Sequence, residues 1–323
     1  MADPHHPKHT RLPVHPSTQA FIEAGKRTPG YTFRDWLHGY VYARWLYTYI
    51  GLGTGEHPLA RRFGPLLAAL LRLFTANSSA RQGEIRQPTA GIATNTSADG
   101  YHGKVVPLNA ATQLVTVNEP IRLANLEQVI PYVRARDIIF QNPDHIIALE
   151  CPCRSSRENP CLPLDVCLVV GEPFASFVAE HHPRRSRWIT SQEAVEILKA
   201  EDGRGHVHHA FFKDAMLGRF YAICNCCACC CGAMQAQQRG TPMLVSSGYI
   251  SQVDEINCIG CGTCAETCQF GAITINQFAY IDREICMGCG ICLAHCEQEA
   301  ITLVRDLAKS APLEILDLLE SAR

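Results

Sequence analysis

The chemistry of this chain is carried by its cysteines. There are 18, all between Cys151 and Cys296, and the first 150 residues hold none. Thiolates are soft ligands that select zinc and iron–sulfur clusters. VDEINCIGCGTCAETCQFGAITI (253–275) matches IDREICMGCGICLAHCEQEAITL (281–303) at a constant offset. Each copy holds C-x2-C-x2-C-x3-C: Cys258, Cys261, Cys264 and Cys268, then Cys286, Cys289, Cys292 and Cys296. Three closely spaced thiolates can wrap three corners of one iron–sulfur cube, and the fourth, just past them, reaches the other cube. A zinc site needs only paired C-x2-C knuckles. The third cysteine at the same step, twice over, therefore predicts two [4Fe–4S] clusters. Gly260, Gly262, Gly288 and Gly290 let the backbone pass close to a cluster and donate N–H groups to its sulfides.

Ten further cysteines precede the repeat. Cys151, Cys153, Cys161 and Cys167 follow C-x-C-x7-C-x5-C, enough for one cluster or one zinc. Cys224, Cys226, Cys227, Cys229, Cys230 and Cys231 crowd into CNCCACCC. Neighbouring side chains of an extended segment point to opposite faces. The segment must therefore turn tightly or serve centres on two sides. Pooling the ten predicts two further clusters or one of higher nuclearity, shared by the two loops. Zinc and buried or redox-active thiols are the other readings, with room for two non-ligands.

The repeat resembles the bacterial-type two-cluster ferredoxins over roughly residues 250–304. That resemblance implies Cys258, Cys261, Cys264 and Cys296 on one cluster, with Cys286, Cys289, Cys292 and Cys268 on the other. It also implies a fold of two β-hairpins and two short helices. The proline usual after each fourth cysteine is Gln269 in one copy and Glu297 in the other, a change that bears on reduction potential. The CPCR and CNCC stretches resemble those of a group of bacterial iron–sulfur proteins fused to ferredoxins. That likeness implies iron–sulfur binding and no particular reaction.

The elements that position these residues follow from patterning. Residues 1–16 carry four His and four Pro and read as a mobile tail. Thr32 and Asp35 form a capping-box pair ahead of a helix whose Leu37, Val41, Trp45 and Tyr49 recur at steps of four, ended by Gly51, Gly53 and Gly55. A Leu-rich helix is expected from Pro65. Residues 77–100 read as a Ser/Thr/Gly/Asn-rich linker, and its sequons at Asn77 and Asn95 are chance matches in an unexported chain. Asn125 and Gln128 suggest a cap for a helix to about Phe140, kinked or delayed by Pro131. His145–Leu149 and Phe220–Ile223 read as short strands running straight into cysteines, so both cysteine groups are expected on loops at strand ends. Thr190 and Glu193 form another capping box, for a helix ended by Gly203 and Gly205.

The expected organisation is α+β. It comprises a helical basic region (1–76), the linker (77–100), a mixed α/β Cys-rich domain (101–247), a ferredoxin-type domain (248–306) and a C-terminal tail or helix (307–323). With 323 residues, 47% hydrophobic and 19% charged, disorder and collagen are excluded. A net charge of −2 gives no sign of nucleic-acid binding. MADPHHPKHT has neither an apolar stretch nor twin arginines, and no run of 18 apolar residues exists, so a cytoplasmic, reducing setting is expected. Residues 253–303 hold seven Asp/Glu and one Lys/Arg, while residues 1–75 hold nine Lys/Arg and four Asp/Glu. An acidic electron carrier docks on a basic face. The basic helices are expected to pack on the rest of the chain, with a partner or anionic membrane contact through residues 32–75 as the alternative.

No flavin, nicotinamide or molybdenum motif is present, and Gly51–Gly55 lacks the context of a nucleotide site. The function expected is electron transfer by a multi-cluster iron–sulfur protein serving a redox partner or larger complex. The rival is an oxidoreductase whose reaction occurs at the central centre, with Arg154 and the His206, His208 and His209 group beside it. Metal or cluster delivery is a third reading. Arg157 lies in the first cysteine loop and His295 beside Cys296, each explicable as solvated or packing. Arg184, Arg185 and Arg187 read as a solvated patch.

Overall fold

The computed structural model describes residues 14–60, 101–117, 121–123, 126–130, 138–140 and 144–321. The helix expected from Pro65 and the linker with its sequons lie outside them, as does nearly all of the tail expected at residues 1–16. The chain is mixed helix and sheet.

Three helices open the described chain: α1 (Pro16–Arg27), α2 (Phe33–Arg44) and α3 (Leu46–Gly53). The Thr32 hydroxyl accepts from the Asp35 amide, and the Asp35 carboxylate accepts from the Thr32 amide and hydroxyl, completing the capping box. The single helix expected from Thr32 to Tyr49 breaks at Trp45, where the backbone leaves helical geometry (φ −118, ψ 41). Most of its stripe also faces the other way: Leu37, Val41 and Trp45 are exposed, as is Phe33, while Tyr49 packs on the core. Gly39, Tyr42 and Ala43 point inward instead. Close approach decides this face, because a Cβ on Gly39 would stand 2.0 Å from the Ala215 carbonyl oxygen. Only a hydrogen lets α2 sit that near the following domain.

The middle of the chain adds β1 (Tyr101–Val106), α4 (Leu108–Thr116), β2 (Ile121–Leu123) and β3 (Ile138–Phe140). Of the helix expected from Asn125 to Phe140, the described residues form a 3-10 turn, Leu126–Gln128, and β3, while residues 131–137 lie outside them. An Ile-Ile-Phe run suits a strand better than a helix. Then follow β4 (Ile146–Leu149), α5 (Pro152–Ser155), β5 (Cys167–Val170), α6 (Phe174–His181), β6 (Ser186–Ile189), α7 (Ser191–Gly203), β7 (Val207–Lys213), β8 (Arg219–Cys226), α8 (Gly232–Gln238) and β9 (Leu244–Val245). The Thr190 side chain caps α7 through the Glu193 amide, but the Glu193 carboxylate pairs with Arg187.

Seven strands join in one sheet, ordered β6-β4-β5-β8-β7-β1-β9, antiparallel except for the β1–β9 pair. Both faces are covered. Alternate strand residues such as Ile146, Ala148 and Leu168 pack with α4 and α7. Ile147, Leu149, Cys167 and Val169 face the other core, shared with α1, α2, α6 and the cysteines.

The C-terminal part contains β10 (Tyr249–Val253), α9 (Thr263–Thr267), β11 (Ile273–Ile275), β12 (Ala279–Ile281), α10 (Ile291–Ala294) and β13 (Ile301–Arg305), followed by α11 (Ile315–Ser321). β11 and β12 form a hairpin, whereas β10 pairs with β13 across the whole repeat. One of the two expected hairpins is thus a closure of the segment's ends. Lys104 of β1, fully buried, donates to Ser310 and to the Ala311 carbonyl and fastens the segment after β13 to the sheet. Among the described residues no helix is long and apolar enough to cross a membrane.

Gly39→Ala tests the docking of α2. The added methyl is expected to cost about 1–3 kcal/mol or more, as overpacking does, measured by chemical unfolding. Faster proteolysis between residues 28 and 32 is expected alongside it.

Candidate iron–sulfur and thiolate centres

Each repeat copy builds the same loop. Gly262 and Gly290 stand just before α9 and α10 with φ of 89 and 87, a left-handed turn that glycine makes without strain. It lets the chain reverse around its thiols and start a short helix bearing Cys264 or Cys292. Cys258, Cys261, Cys264 and Cys296 line one cavity of ≈ 20 Å³. Cys268, Cys286 and Cys292 act electrostatically on Cys289 and form the second group. In each group the fourth thiol comes from the other copy, as the resemblance implies.

Donors already surround these sulfurs. The Ala279 amide points at Cys258 Sγ (3.4 Å), the Ala272 amide at Cys268 Sγ (3.3 Å) and the Ser251 amide at Cys286 Sγ (3.5 Å). The Ser251 hydroxyl lies 3.0 Å from Cys292 Sγ. Burial pushes the Cys292 thiol up to about 11, against the lowering effect of Ser251. Cys261 is exposed, beside the protruding side chains of Ile256 and Ile259. The second group is deeper, with Cys286 and Cys292 buried.

The ten central cysteines are not all on loops. Cys167 opens β5, and Cys224 and Cys226 end β8, because β8 runs past the expected Ile223. Cys167 and Cys224 are register partners across β5 and β8, which brings their Cβ atoms to roughly 5 Å. Cys151 lies near Cys153 and Cys167. Cys153 also reaches Cys231, Cys231 reaches Cys226, and Cys167 reaches Cys224. The circuit closes through β8, where residues two apart share a face. These six thiols border a cavity of ≈ 80 Å³, four times that beside Cys258, and Cys227 and Cys230 complete its cysteine lining.

The other four cysteines draw together at the rim of this cavity, which Cys227 and Cys230 also line. Cys227 starts a tight turn in which its carbonyl accepts from the Cys230 and Cys231 amides. The Sγ atoms of Cys161, Cys227, Cys229 and Cys230 all lie within 4.8 Å of one another. The crowded segment therefore does both things its spacing allows: it turns, and it serves two sides.

The remaining cavity wall is apolar and aromatic: Phe174, Phe177, Phe211, Met216, Tyr42, Tyr101 and Tyr221. The Tyr42 and Tyr221 hydroxyls pair at 2.9 Å, and burial pushes both phenols well up. None of these aromatic positions stands out in the sequence, where they read as ordinary core residues.

Arg154 is buried, contrary to a solvated reading. It donates to Glu201 (2.7 Å) and to the Pro163 and Asn225 carbonyls. Burial raises the Glu201 carboxyl, but hydrogen bonds from His206 and Arg154 outweigh it and hold it below its ordinary value. Arg154 thus ties the Cys151–Cys153 turn to β8. Arg154 also lines the cavity, and its buried Nε has no partner among the described residues. Arg157 binds Glu56, Gln235 and the Cys230 carbonyl.

The expected histidine group is divided. His206 is held by Glu201, and His208 by Asn225 and Asp202. His209 is fully buried opposite Cys224 in the β7–β8 ladder, where burial pushes its imidazole down to about 3 and keeps it neutral. Its ring nitrogens have no partner among the described residues. His295 reaches across to the Asp202 carbonyl. Arg187 pairs with Asp165 and Glu193, and Arg185 lies over Tyr47.

Gln269, at the position where the resemblance leads one to expect proline, joins the two parts. Its side-chain oxygen accepts from the Ala228 amide, inside the 227–230 turn, and its amide donates to the Gly205 carbonyl. Phe270, Met287 and Cys289 pack against the core that contains Cys151, Cys167, Cys226 and Cys231. The second ferredoxin-type group is therefore turned toward the central thiols.

Two variants probe these arrangements. Arg154→Met is expected to cost about 3–5 kcal/mol, because it strips the buried Glu201 carboxylate of its one fully buried cation, leaving only His206 and the half-exposed Arg204 to hold it. Arg154→Met with Glu201→Leu should recover most of that loss in denaturant unfolding. Ser251→Ala removes a donor to Cys292 and should lower the potential of one cluster by on the order of tens of millivolts. EPR-monitored titration should find the other cluster unchanged.

Residues 257–301 match the family described as a 4Fe-4S dicluster domain. No curated protein matches the chain. The C-terminal part is an iron–sulfur domain of that dicluster kind.

Proposed function

We propose that this protein is a multi-cluster electron carrier in which a ferredoxin-type module feeds a central iron–sulfur centre. Cys258, Cys261, Cys264 and Cys296 hold the outer [4Fe–4S] cluster, and Cys286, Cys289, Cys292 and Cys268 the inner one. Cys151, Cys153, Cys167, Cys224, Cys226 and Cys231 hold a further centre. Six thiolates around a cavity four times larger than that of the outer quartet suit more iron than one cube.

The observation that carries this reading is the Gln269 bridge. It fixes the residue after Cys268 against the turn flanked by Cys226 and Cys231, so the inner cluster and the central thiols face one another. A redox partner or larger complex docks at the other end, where Ile256 and Ile259 protrude among Asp254, Glu255 and Glu266. A small apolar centre within an acidic rim suits a transient contact with a basic partner. The exposed Phe33, Leu37, Val41 and Trp45 face of α2 offers a second contact, to that complex or to a membrane surface.

A second reading is favoured by the cavity itself. The hydrogen-bonded Tyr42 and Tyr221 hydroxyls and apolar walls beside the six thiols would suit reduction of a small substrate, with protons supplied through the tyrosines. One experiment separates the two. Cys226→Ala should abolish the central centre's EPR signal while both ferredoxin-type clusters still reduce. Carrier function predicts at least tenfold slower relay to the partner; relay at the normal rate sinks the wire through the central domain and leaves the enzymatic reading. Gln269→Ala removes two hydrogen bonds, worth about 1–3 kcal/mol together. It should slow reduction of the central centre severalfold in stopped-flow mixing, with iron content unchanged.

A further inference from the structure

We propose that Cys161, Cys227, Cys229 and Cys230 hold a single tetrahedral zinc ion, adjoining the central cavity that Cys227 and Cys230 also line, that clamps the 151–167 loop onto the 227–230 turn. This site goes beyond the electron-carrier reading and does not depend on it.

The argument is one of scale. One zinc at its usual bond length to four thiolates sets their sulfurs about 3.8 Å apart. Cys229 and Cys230 Sγ are 3.7 Å apart, and Cys161 and Cys229 Sγ are 3.2 Å apart. A cube places every thiolate on a different iron, so its sulfurs must stand much farther from one another. Cys161, Cys227, Cys229 and Cys230 depart from cube spacing in the opposite direction. The ferredoxin-type quartets provide the internal comparison. Among the described residues, the Cys161 group is the one whose potential ligands all come within 4.8 Å of each other, and neither quartet does so.

Local structure supports a closed, single-ion site. The Cys227 carbonyl accepts the Cys230 and Cys231 amides, and this turn gathers three thiols from four consecutive residues. The fourth thiol, Cys161, arrives from the other loop. A four-thiolate zinc site carries net negative charge, and Arg157 is anchored to the Cys230 carbonyl beside it. Tetrahedral sulfur ligation selects zinc or iron, and zinc outranks ferrous iron in intrinsic affinity. Closed zinc sites of four thiolates have no open position and no redox step, so the role is mechanical. The ion would hold the turn that accepts Gln269 and carries Cys226 and Cys231 at its two ends.

The test is metal analysis of the full chain, purified without oxygen from iron-replete cells. About one zinc per chain is expected, persisting as iron loading approaches its maximum. Cys161→Ser and Cys229→Ser should each lower zinc occupancy at least tenfold while iron and acid-labile sulfide stay constant. Zinc absent, zinc falling as iron rises, or either variant losing a cube's worth of iron would overturn the assignment. Should either variant misfold, cobalt-grown wild-type protein decides: visible absorption of tetrahedral cobalt thiolate supports the site, and its absence overturns it. A preparation with zinc but no central iron would sink the proposed central cluster and leave this site standing.

Discussion

Ten thiols gathered at the edge of an apolar core impose the constraint that shapes the rest of this molecule. Bound to metal they are thiolates, and burying anionic sulfur without compensation is costly. The chain compensates with fixed positive charge and rigid geometry. Arg154, held by Glu201, and Arg157, held by Glu56, bring guanidinium groups into the cysteine turns. The seven-stranded sheet supplies the geometry. Pairing Cys167 with Cys224 in a ladder fixes two thiols through the backbone, and only the turns at 151–155 and 227–230 need shaping by side chains.

The same constraint explains how the two parts meet. A dicluster module alone presents its clusters toward solvent on both sides. Here its inner side is covered by the central domain through Gln269, Phe270, Met287 and His295, and its outer side keeps Cys261 and two isoleucines exposed. Electron transfer through protein favours short, packed gaps over open water, and this polarity gives the module an inside and an outside. The outer face also carries part of the repeat's acidic charge, with Asp254, Glu255 and Glu266 close in sequence to its exposed isoleucines.

Much of this is legible in the sequence, for identifiable reasons. The repeat is visible because cluster ligation fixes spacing along the chain, and the crossing of Cys268 and Cys296 follows from the resemblance. The strands before Cys151 and through Ile223 are visible as apolar runs. The wider sheet is not, because strands buried on both faces lose alternation. The face of α2 misleads because Leu and Trp spacing points to a packing side, while Gly39 is what permits contact. The division of the ten cysteines into six and four is also invisible. It depends on the register of β5 against β8 and on one reverse turn, neither of which is local to a motif.

Gln269 shows where reading by resemblance falls short of reading by structure. Its departure from proline draws attention to the reduction potential of the cluster beside it, a local effect. Proline at that position would lack both the acceptor for the Ala228 amide and the donor for the Gly205 carbonyl. A ferredoxin that diffuses between partners needs neither. A module fixed against a second set of thiols needs both, and a side-chain amide that donates and accepts at once supplies them from one residue. The substitution is thus a mark of docking within one chain, and it ties the motif most easily read from the sequence to the centre least easily read from it.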